Sequence, residues 1–129
     1  IDVDDFKKVN DTYGHASGDE ALINVSKALR KCFRSDDLIG RIGGDEFVAF
    51  IPVHNYEQVE RKGAQLVKVL HHNYLEKDVV CPISTSIGVA IAPDAGTDFE
   101  QLYKNADRAL YQTKKNGKNG FTIYQKENS

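Results

Sequence analysis

Acidic side chains cluster at two places where they could do chemistry together. Asp2 and Asp4 alternate along an apolar stretch at the start of the chain, and Asp45 and Glu46 follow two glycines in RIGGDEF, residues 41–47. If these stretches are neighbours, two carboxylates about 4 Å apart repel by roughly 4 kcal/mol at a surface-like dielectric. No lysine or arginine adjacent in sequence to Asp2 relieves this, whereas Mg²⁺ or Mn²⁺ would. The alternative is an acidic, solvated sheet end where the carboxylates never meet.

The two glycines of RIGGDEF fall in a turn between apolar stretches near 38–42 and 46–51 that have the character of strands. Two strands joined by a glycine-bearing turn predict a hairpin. One interpretation is that the glycines supply positive φ and the acids keep the tip in water. In a split βαβ sheet the first strand is central and borders such a hairpin. That arrangement would bring Asp2, Asp45 and Glu46 to one edge of the sheet.

Helices are predicted from apolar positions that recur at helical intervals. Ser17 and Glu20 have the spacing of a capping box, which predicts that the second helix begins at Ser17. The first predicted helix spans 5–14 with a stop at Gly14, and the second spans 17 to about 33. The third begins at Asn55, and its apolar face carries Tyr56, Val59, Gly63, Leu66, Val67, Leu70 and Tyr74. The fourth spans 98–116 with a stop at Gly117, and its inward residues are Phe99, Leu102, Tyr103, Ala106 and Leu110.

Strands are predicted at 1–4, in the hairpin, at 83–91 where apolar residues alternate, and at 121–125. The order is therefore β-α-α-β-β-α-β-α-β. A hairpin flanked by βα units predicts an α+β fold with a central, mostly antiparallel sheet and helices over its faces.

Bulk composition excludes several classes of function. The chain has 129 residues, enough for one domain with a real core, and a formal charge of −2, which lacks the basic excess that nucleic-acid binding requires. No apolar run is long enough to span a membrane. Cys32 and Cys81 stand in apolar settings and are expected to be buried thiols in a reducing compartment. Because the chain opens inside a predicted strand, we expect a fragment of a longer protein.

Four motifs carry a resemblance to a known family. They are DVDDFKKVND, GHASGDE, RIGGDEF and ADRALYQTKKNGKN, and their order and separations resemble those of the GGDEF family, the diguanylate cyclases. The likeness covers residues 1–129, without the N-terminal part of the domain. It implies a palm-like, ferredoxin-related βααββαβ core. It also implies that two GTP are condensed into cyclic di-GMP with release of two pyrophosphates.

The resemblance assigns the acids. It implies two Mg²⁺ or Mn²⁺ per active site, with Asp2, Asp45 and the Val3 carbonyl as ligands. Glu46 is implied as a ligand of the second metal or as the base that deprotonates the attacking 3′-hydroxyl. Asp45 is the other candidate for that base, and Asp4 is expected to support the site without binding metal.

The resemblance also implies how the nucleotide is held. Gly43 and Gly44 are expected to let it lie against the hairpin backbone. The other implied substrate-binding residues are Asn10 and Asp19 for the guanine base, His15 lining the pocket, backbone N–H groups near Asp5 and Phe6 for phosphate, and Lys114 and Lys118 for the triphosphate. The family usually has arginine where this chain has Lys118, so weaker phosphate contact is expected.

Arg34 and Asp37 match the RxxD signature of the family's inhibitory site for cyclic di-GMP, and five residues separate Asp37 from Gly43. Catalysis is expected to require a homodimer, with an upstream sensor or dimerisation domain. A cytoplasmic location is expected, with tethering to the inner membrane through upstream regions as an alternative. The competing function is a catalytically idle module that binds GTP or cyclic di-GMP and regulates an attached domain.

Overall fold

This computed structural model describes residues 1–76 and 79–126. Its helices are α1 (Phe6–Tyr13), α2 (His15–Cys32), α3 (Tyr56–Leu70) and α4 (Phe99–Lys115). Its strands are β1 (Asp2–Val3), β2 (Leu38–Arg41), β3 (Phe47–Phe50), β4 (His72–Glu76), β5 (Val79–Ile83), β6 (Thr85–Val89) and β7 (Gly120–Ile123). Of the described helices, none has the length and apolarity to cross a membrane.

Strand β1 lies between the hairpin and β6, as predicted. It pairs antiparallel with β6, which pairs parallel with β7. On its other side Asp2 and Glu46 form an antiparallel bridge, and the Val3 N–H donates to the Asp45 carbonyl at 3.1 Å. The predicted hairpin is β2–β3, with Arg41 opposite Phe47. The register therefore places the start of the chain directly beside the acidic turn.

The core lies where α2 and α3 pack against the sheet. Val25 and Leu29 of α2 are fully buried and belong to one cluster with Leu70 of α3 and Ile83. Their spacing is the helical apolar periodicity on which the prediction rested. Both cysteines are buried, as expected.

The start of α2 differs from the prediction. The helix begins at His15 with Gly14 as N-cap, so Ser17 lies inside the first turn and the predicted capping box is wrong. Gly14 has φ +92° and its N–H donates to the Asn10 carbonyl. One glycine thus ends α1 and starts α2, since glycine adopts φ +92° with ψ 159° without a Cβ clash.

A hairpin of β4 and β5 was missed. Helix α3 ends at Leu70, so Tyr74 is in β4 and not on the α3 face, and β4 pairs antiparallel with β5. The predicted strand 83–91 is divided at Ser84, because β5 ends at Ile83 and β6 begins at Thr85. The apolar pattern of this region resembled a continuing helix followed by one strand.

Helix α4 is confirmed at 99–115, with Gly117 just beyond its end at φ +112°. Phe99, predicted to face inward, is instead 56% exposed at the first helical position. Ala109, Leu110 and Thr113 are buried against the sheet. The contact is very close at Gly88 of β6, where an added Cβ would lie 2.0 Å from the Ala106 carbonyl oxygen.

Candidate active site

Asp2 and Asp45 are brought close to each other at the turn of the β2–β3 hairpin, where the Val3 N–H donates to the Asp45 carbonyl. The bridge between β1 and residue 46 aligns them. The pKa of the Asp45 carboxyl is raised, first because burial disfavours the charged form and second because of the negative charge of Asp2. The predicted approach of acids therefore holds for this pair, and we call it the acid pair.

Lys114 of α4 supplies a counter-charge that sequence neighbours did not offer. Its ammonium donates to the Asp2 carboxylate, and the pKa of Lys114 is raised, chiefly by that hydrogen bond. No cation is adjacent to Asp2 in sequence, but Lys114 supplies one in the fold. The partner comes from the far end of the chain, so inspecting adjacent residues could not find it.

The Glu46 carboxylate is engaged by a side chain of α4. Its Oε1 accepts a hydrogen bond from the Tyr103 hydroxyl at 2.7 Å, and this bond is the main reason that the pKa of Tyr103 rises to about 12. Among the described residues no three His, Cys, Asp or Glu side chains are grouped closely enough to hold a metal. Tyr103 was predicted to be part of an apolar face, and its hydroxyl was the signal that it has a polar partner.

The turn itself is held by Arg41, which sequence reasoning did not single out. Its Nη2 donates to the Gly44 carbonyl at 2.5 Å, and its Nε lies 3.2 Å from the Gly43 carbonyl. Neither glycine has a positive φ, so the interpretation that they supply one is wrong. A Cβ at Gly44 would meet nothing within 4 Å. The turn therefore does not need glycine for its own conformation.

Asp4 supports the site from behind. It is 8% exposed and accepts hydrogen bonds from the hydroxyls of Ser84 (2.7 Å) and Ser86 (2.5 Å). The backbone N–H of Asn119 donates to it at 3.0 Å. These bonds tie the end of β1 to β6 and to the loop after α4, which agrees with the supporting role expected for Asp4.

The start of α1 is open to an anion. Its N-cap Asp5 has φ +51° and makes no side-chain cap hydrogen bond, so the backbone N–H groups that begin at Phe6 are not satisfied by a cap. The Asp5 carboxylate instead accepts from Lys118 at 2.7 Å, which lowers the pKa of Asp5. Lys118 lies beyond the end of α4 at φ +64°, so it does not share a helical face with Lys114.

The residues predicted for the guanine base lie around the α1–α2 junction. Asn10 and Gly18 are in contact, since a Cβ at Gly18 would lie 1.8 Å from the Asn10 Oδ1. That oxygen is buried and has no hydrogen-bond partner among the residues that the structure describes. His15 and Asp19 are exposed. Asp19 is the fifth residue of α2, beyond the first turn, so a helix-dipole role does not explain it.

Arg34 and Asp37 are held in one exposed turn after α2. The Asp37 carboxylate accepts from the Arg34 backbone N–H at 2.8 Å, and the Asp37 N–H donates to the Arg34 carbonyl at 3.0 Å. The two residues are therefore adjacent in space as well as in the motif.

A cavity of about 640 Å³ lies between the hairpin and α3, α4 and β6. Its lining is mostly apolar and includes Phe50, Leu66 and Leu110, and it reaches the site at Glu46 and Tyr103. A triphosphate requires cations and N–H donors. The interior of this cavity is therefore not suited to the phosphates.

The fold and the site together define a GGDEF domain. The family model described as "Diguanylate cyclase, GGDEF domain" matches residues 1–120, and the chain belongs to this family. The chain superposes on the GGDEF domain of YfiN from Pseudomonas aeruginosa with a TM-score of 0.90 and 30% identity, covering 98% of this chain and 80% of that one. The predicted family and the palm-like α+β fold are confirmed.

Curated relatives differ in the reactions for which they are named. The chain is 39% identical over 125 residues to MucR of Pseudomonas aeruginosa, a bifunctional diguanylate cyclase and cyclic di-GMP phosphodiesterase. It is 33% identical over 127 residues to PdeR of Escherichia coli, a cyclic di-GMP phosphodiesterase. These matches cover 97% and 98% of this chain but 18% and 19% of the relatives. The chain thus spans less than a fifth of either protein.

Proposed function

We propose that this domain is an active diguanylate cyclase that condenses two GTP into cyclic di-GMP. The observation that carries the proposal is the acid pair, Asp2 and Asp45, with the Lys114 ammonium bound to it. Opposite charges at one sheet edge suit a nucleoside triphosphate and its counter-ion. The open N-terminus of α1 lies beside this edge, because only Asp4 separates Asp5 from β1 in the chain.

The acid pair fits a divalent metal. Both side chains supply hard oxygen ligands. The charged form of Asp45 is disfavoured, because the carboxyl is desolvated and lies near the negative charge of Asp2, and a cation would offset this. Asp2, Asp45 and the Val3 carbonyl would hold one Mg²⁺ or Mn²⁺, and Glu46 would serve a second. When bound, such ions neutralise the triphosphate and stabilise charge at the α-phosphate.

In the proposed reaction the 3′-hydroxyl oxygen of one GTP bonds to the α-phosphorus of the other. The bond from that phosphorus to the β-phosphate bridging oxygen breaks, and pyrophosphate leaves with the electron pair. Asp45 or Glu46 accepts the hydroxyl proton.

The remaining substrate contacts follow from position. Lys114 would release Asp2 and bind phosphate, and Lys118 would release Asp5 and bind phosphate in the same way. The unpartnered Asn10 Oδ1 is an acceptor for a guanine N–H. The exposed Asp19 carboxylate would accept from the N1–H and N2–H of the same base, which adenine does not offer. His15, at the start of α2, would line this pocket.

Two GTP must face each other, so we propose a homodimer whose formation depends on attached domains. The product would inhibit by binding at Arg34 and Asp37, where the guanidinium can grip phosphate or guanine. Arg34→Ala should then relieve product inhibition. Unchanged inhibition would remove this site from the proposal.

A regulatory module is the second candidate. PdeR is named for cyclic di-GMP breakdown and not for its synthesis, although this chain aligns with it over 127 residues. Lys118 stands where the family usually has arginine, and lysine lacks the bidentate contact that arginine makes with phosphate. This difference also favours a regulatory module. In this reading the domain binds GTP or cyclic di-GMP and controls an attached domain.

The test is to incubate the domain with GTP and Mg²⁺ at several protein concentrations and to detect cyclic di-GMP by chromatography. We expect product formation that rises more than linearly with protein concentration, no product from ATP, and none from Asp45→Ala. Asp94→Ala, in an exposed loop, is the matched control and should remain active. Bound GTP without product at any concentration would favour the regulatory module.

A further inference from the structure

Helix α4 holds two of the three acids at the turn through different side chains. Lys114 binds Asp2 near the end of the helix, and Tyr103 binds Glu46 near its start. The hydroxyl of Tyr103 donates at 2.7 Å to an oxygen that would otherwise be a metal ligand.

The ring of Tyr103 lies at one end of a row of three aromatic rings. It stacks on Phe99, with ring centroids 5.7 Å apart and planes at 27°, and Phe99 in turn lies 5.6 Å from Phe50 of the hairpin. A row of three rings thus connects α4 to the strand that follows Glu46. Because the ring is packed, its hydroxyl is held where Glu46 can accept from it.

We propose that Tyr103 is a positioning residue that holds Glu46 away from the acid pair while the domain is free of nucleotide. Glu46 becomes a metal ligand only when the bond to Tyr103 breaks. This inference rests on the proposed function, because it assumes that the acid pair binds a divalent ion. It accounts for the finding that, among the described residues, the three acids do not form a group able to hold a metal.

Removing the hydroxyl should strengthen metal binding. In Tyr103→Phe the ring row persists but Glu46 is no longer engaged, so a bound ion gains a carboxylate without breaking a hydrogen bond. Hydrogen bonds to charged groups correspond to factors of ten or more in affinity when buried. Since Tyr103 is partly solvated, we expect Mn²⁺ to bind about three- to tenfold more tightly.

The experiment is a titration of the nucleotide-free domain with Mn²⁺, followed by electron paramagnetic resonance. The variants are Tyr103→Phe, Glu46→Gln, the double variant and Asp2→Asn. Tyr111→Phe is the matched control, because it removes a hydroxyl from the same helix at a side chain that is 65% exposed. Circular dichroism melting checks that each variant is folded.

We expect tighter binding in Tyr103→Phe, wild-type affinity in Tyr111→Phe, and no added effect of Tyr103→Phe in the Glu46→Gln background. Wild-type Mn²⁺ affinity in Tyr103→Phe would overturn the positioning role while the metal site stands. The same conclusion would follow if Tyr103→Phe tightened Mn²⁺ binding equally in the Glu46→Gln background. Mn²⁺ binding that is absent, or that survives Asp2→Asn unchanged, would overturn the metal assignment and the positioning role together.

Discussion

Gly44→Ala separates what the hairpin needs from what a nucleotide needs. Gly44 lacks a positive φ, and a Cβ there would meet no atom within 4 Å. The turn is held through the Gly43 and Gly44 carbonyls by Arg41, and an alanine leaves both carbonyls in place. The protein alone therefore gives no reason for glycine at this position. If glycine is required, the reason lies in what binds against the turn.

The expected changes have opposite signs. A glycine-to-alanine change at a compatible backbone position stabilises a fold by up to about 1 kcal/mol, because the unfolded chain loses freedom. The midpoint of thermal unfolding should therefore stay the same or rise by up to ~4 °C. A methyl group forced against a close-packed ligand costs roughly 1–3 kcal/mol. GTP should therefore bind about ten- to a hundredfold more weakly.

The assay pairs two measurements on the domain. Melting by circular dichroism without nucleotide gives the stability, and calorimetric titration with a GTP analogue carrying a methylene bridge between the α- and β-phosphates gives the affinity without turnover. Gly40→Ala is the control, since its Cβ would make an ordinary 3.8 Å contact with Val48 in β3. Unchanged analogue affinity in Gly44→Ala would refute a nucleotide lying against the turn, and a midpoint lowered by several degrees would refute the conformational argument.

Two further changes test the scaffold. Gly88→Ala should lower the melting midpoint by ~10 °C, which corresponds to a cost of about 3 kcal/mol. The reason is that its Cβ would lie 2.0 Å from the Ala106 carbonyl oxygen, so that the backbone must move. A midpoint like that of Gly40→Ala would contradict this packing. Asp45→Asn should raise the melting midpoint at pH 7, while turnover is lost. Because the folded-state pKa of Asp45 is raised, ionisation of Asp45 lowers the stability of the fold as pH rises through that pKa, and asparagine does not ionise. The gain should vanish in acid, where Asp45 is protonated in both states, and melting from pH 3 to 7 checks this.

Local signals in the sequence predicted the elements that depend on them. The hairpin followed from strand-like stretches around a glycine turn, and α4 followed from apolar periodicity with a glycine stop. The approach of Asp2 to Asp45 followed from placing the first strand beside the hairpin. Each of these inferences needs only periodicity, turn chemistry or sheet topology, which neighbouring residues encode.

The errors share a different physical origin. Gly14 replaced Ser17 as the cap of α2 because a positive φ at one residue, not a side-chain hydrogen bond, redirects the chain. The Lys114–Asp2 ion pair joins residues 112 positions apart, and the Tyr103–Glu46 bond spans 57. Such partners are chosen by tertiary packing, which is not written in local spacing.

Strand β1 explains why the candidate site depends on so many elements. It has two residues, too few to be stable by strand pairing alone. It is held by the hairpin through the Asp45 carbonyl, by β6 through the serines that bind Asp4, and by α4 through Lys114. Since Gly88 sets the closeness of α4 to β6, a displacement of α4 moves the Lys114 ammonium relative to Asp2. The geometry of the acid pair is therefore a property of the whole α4–β6 contact, and changes there should alter metal and nucleotide binding together.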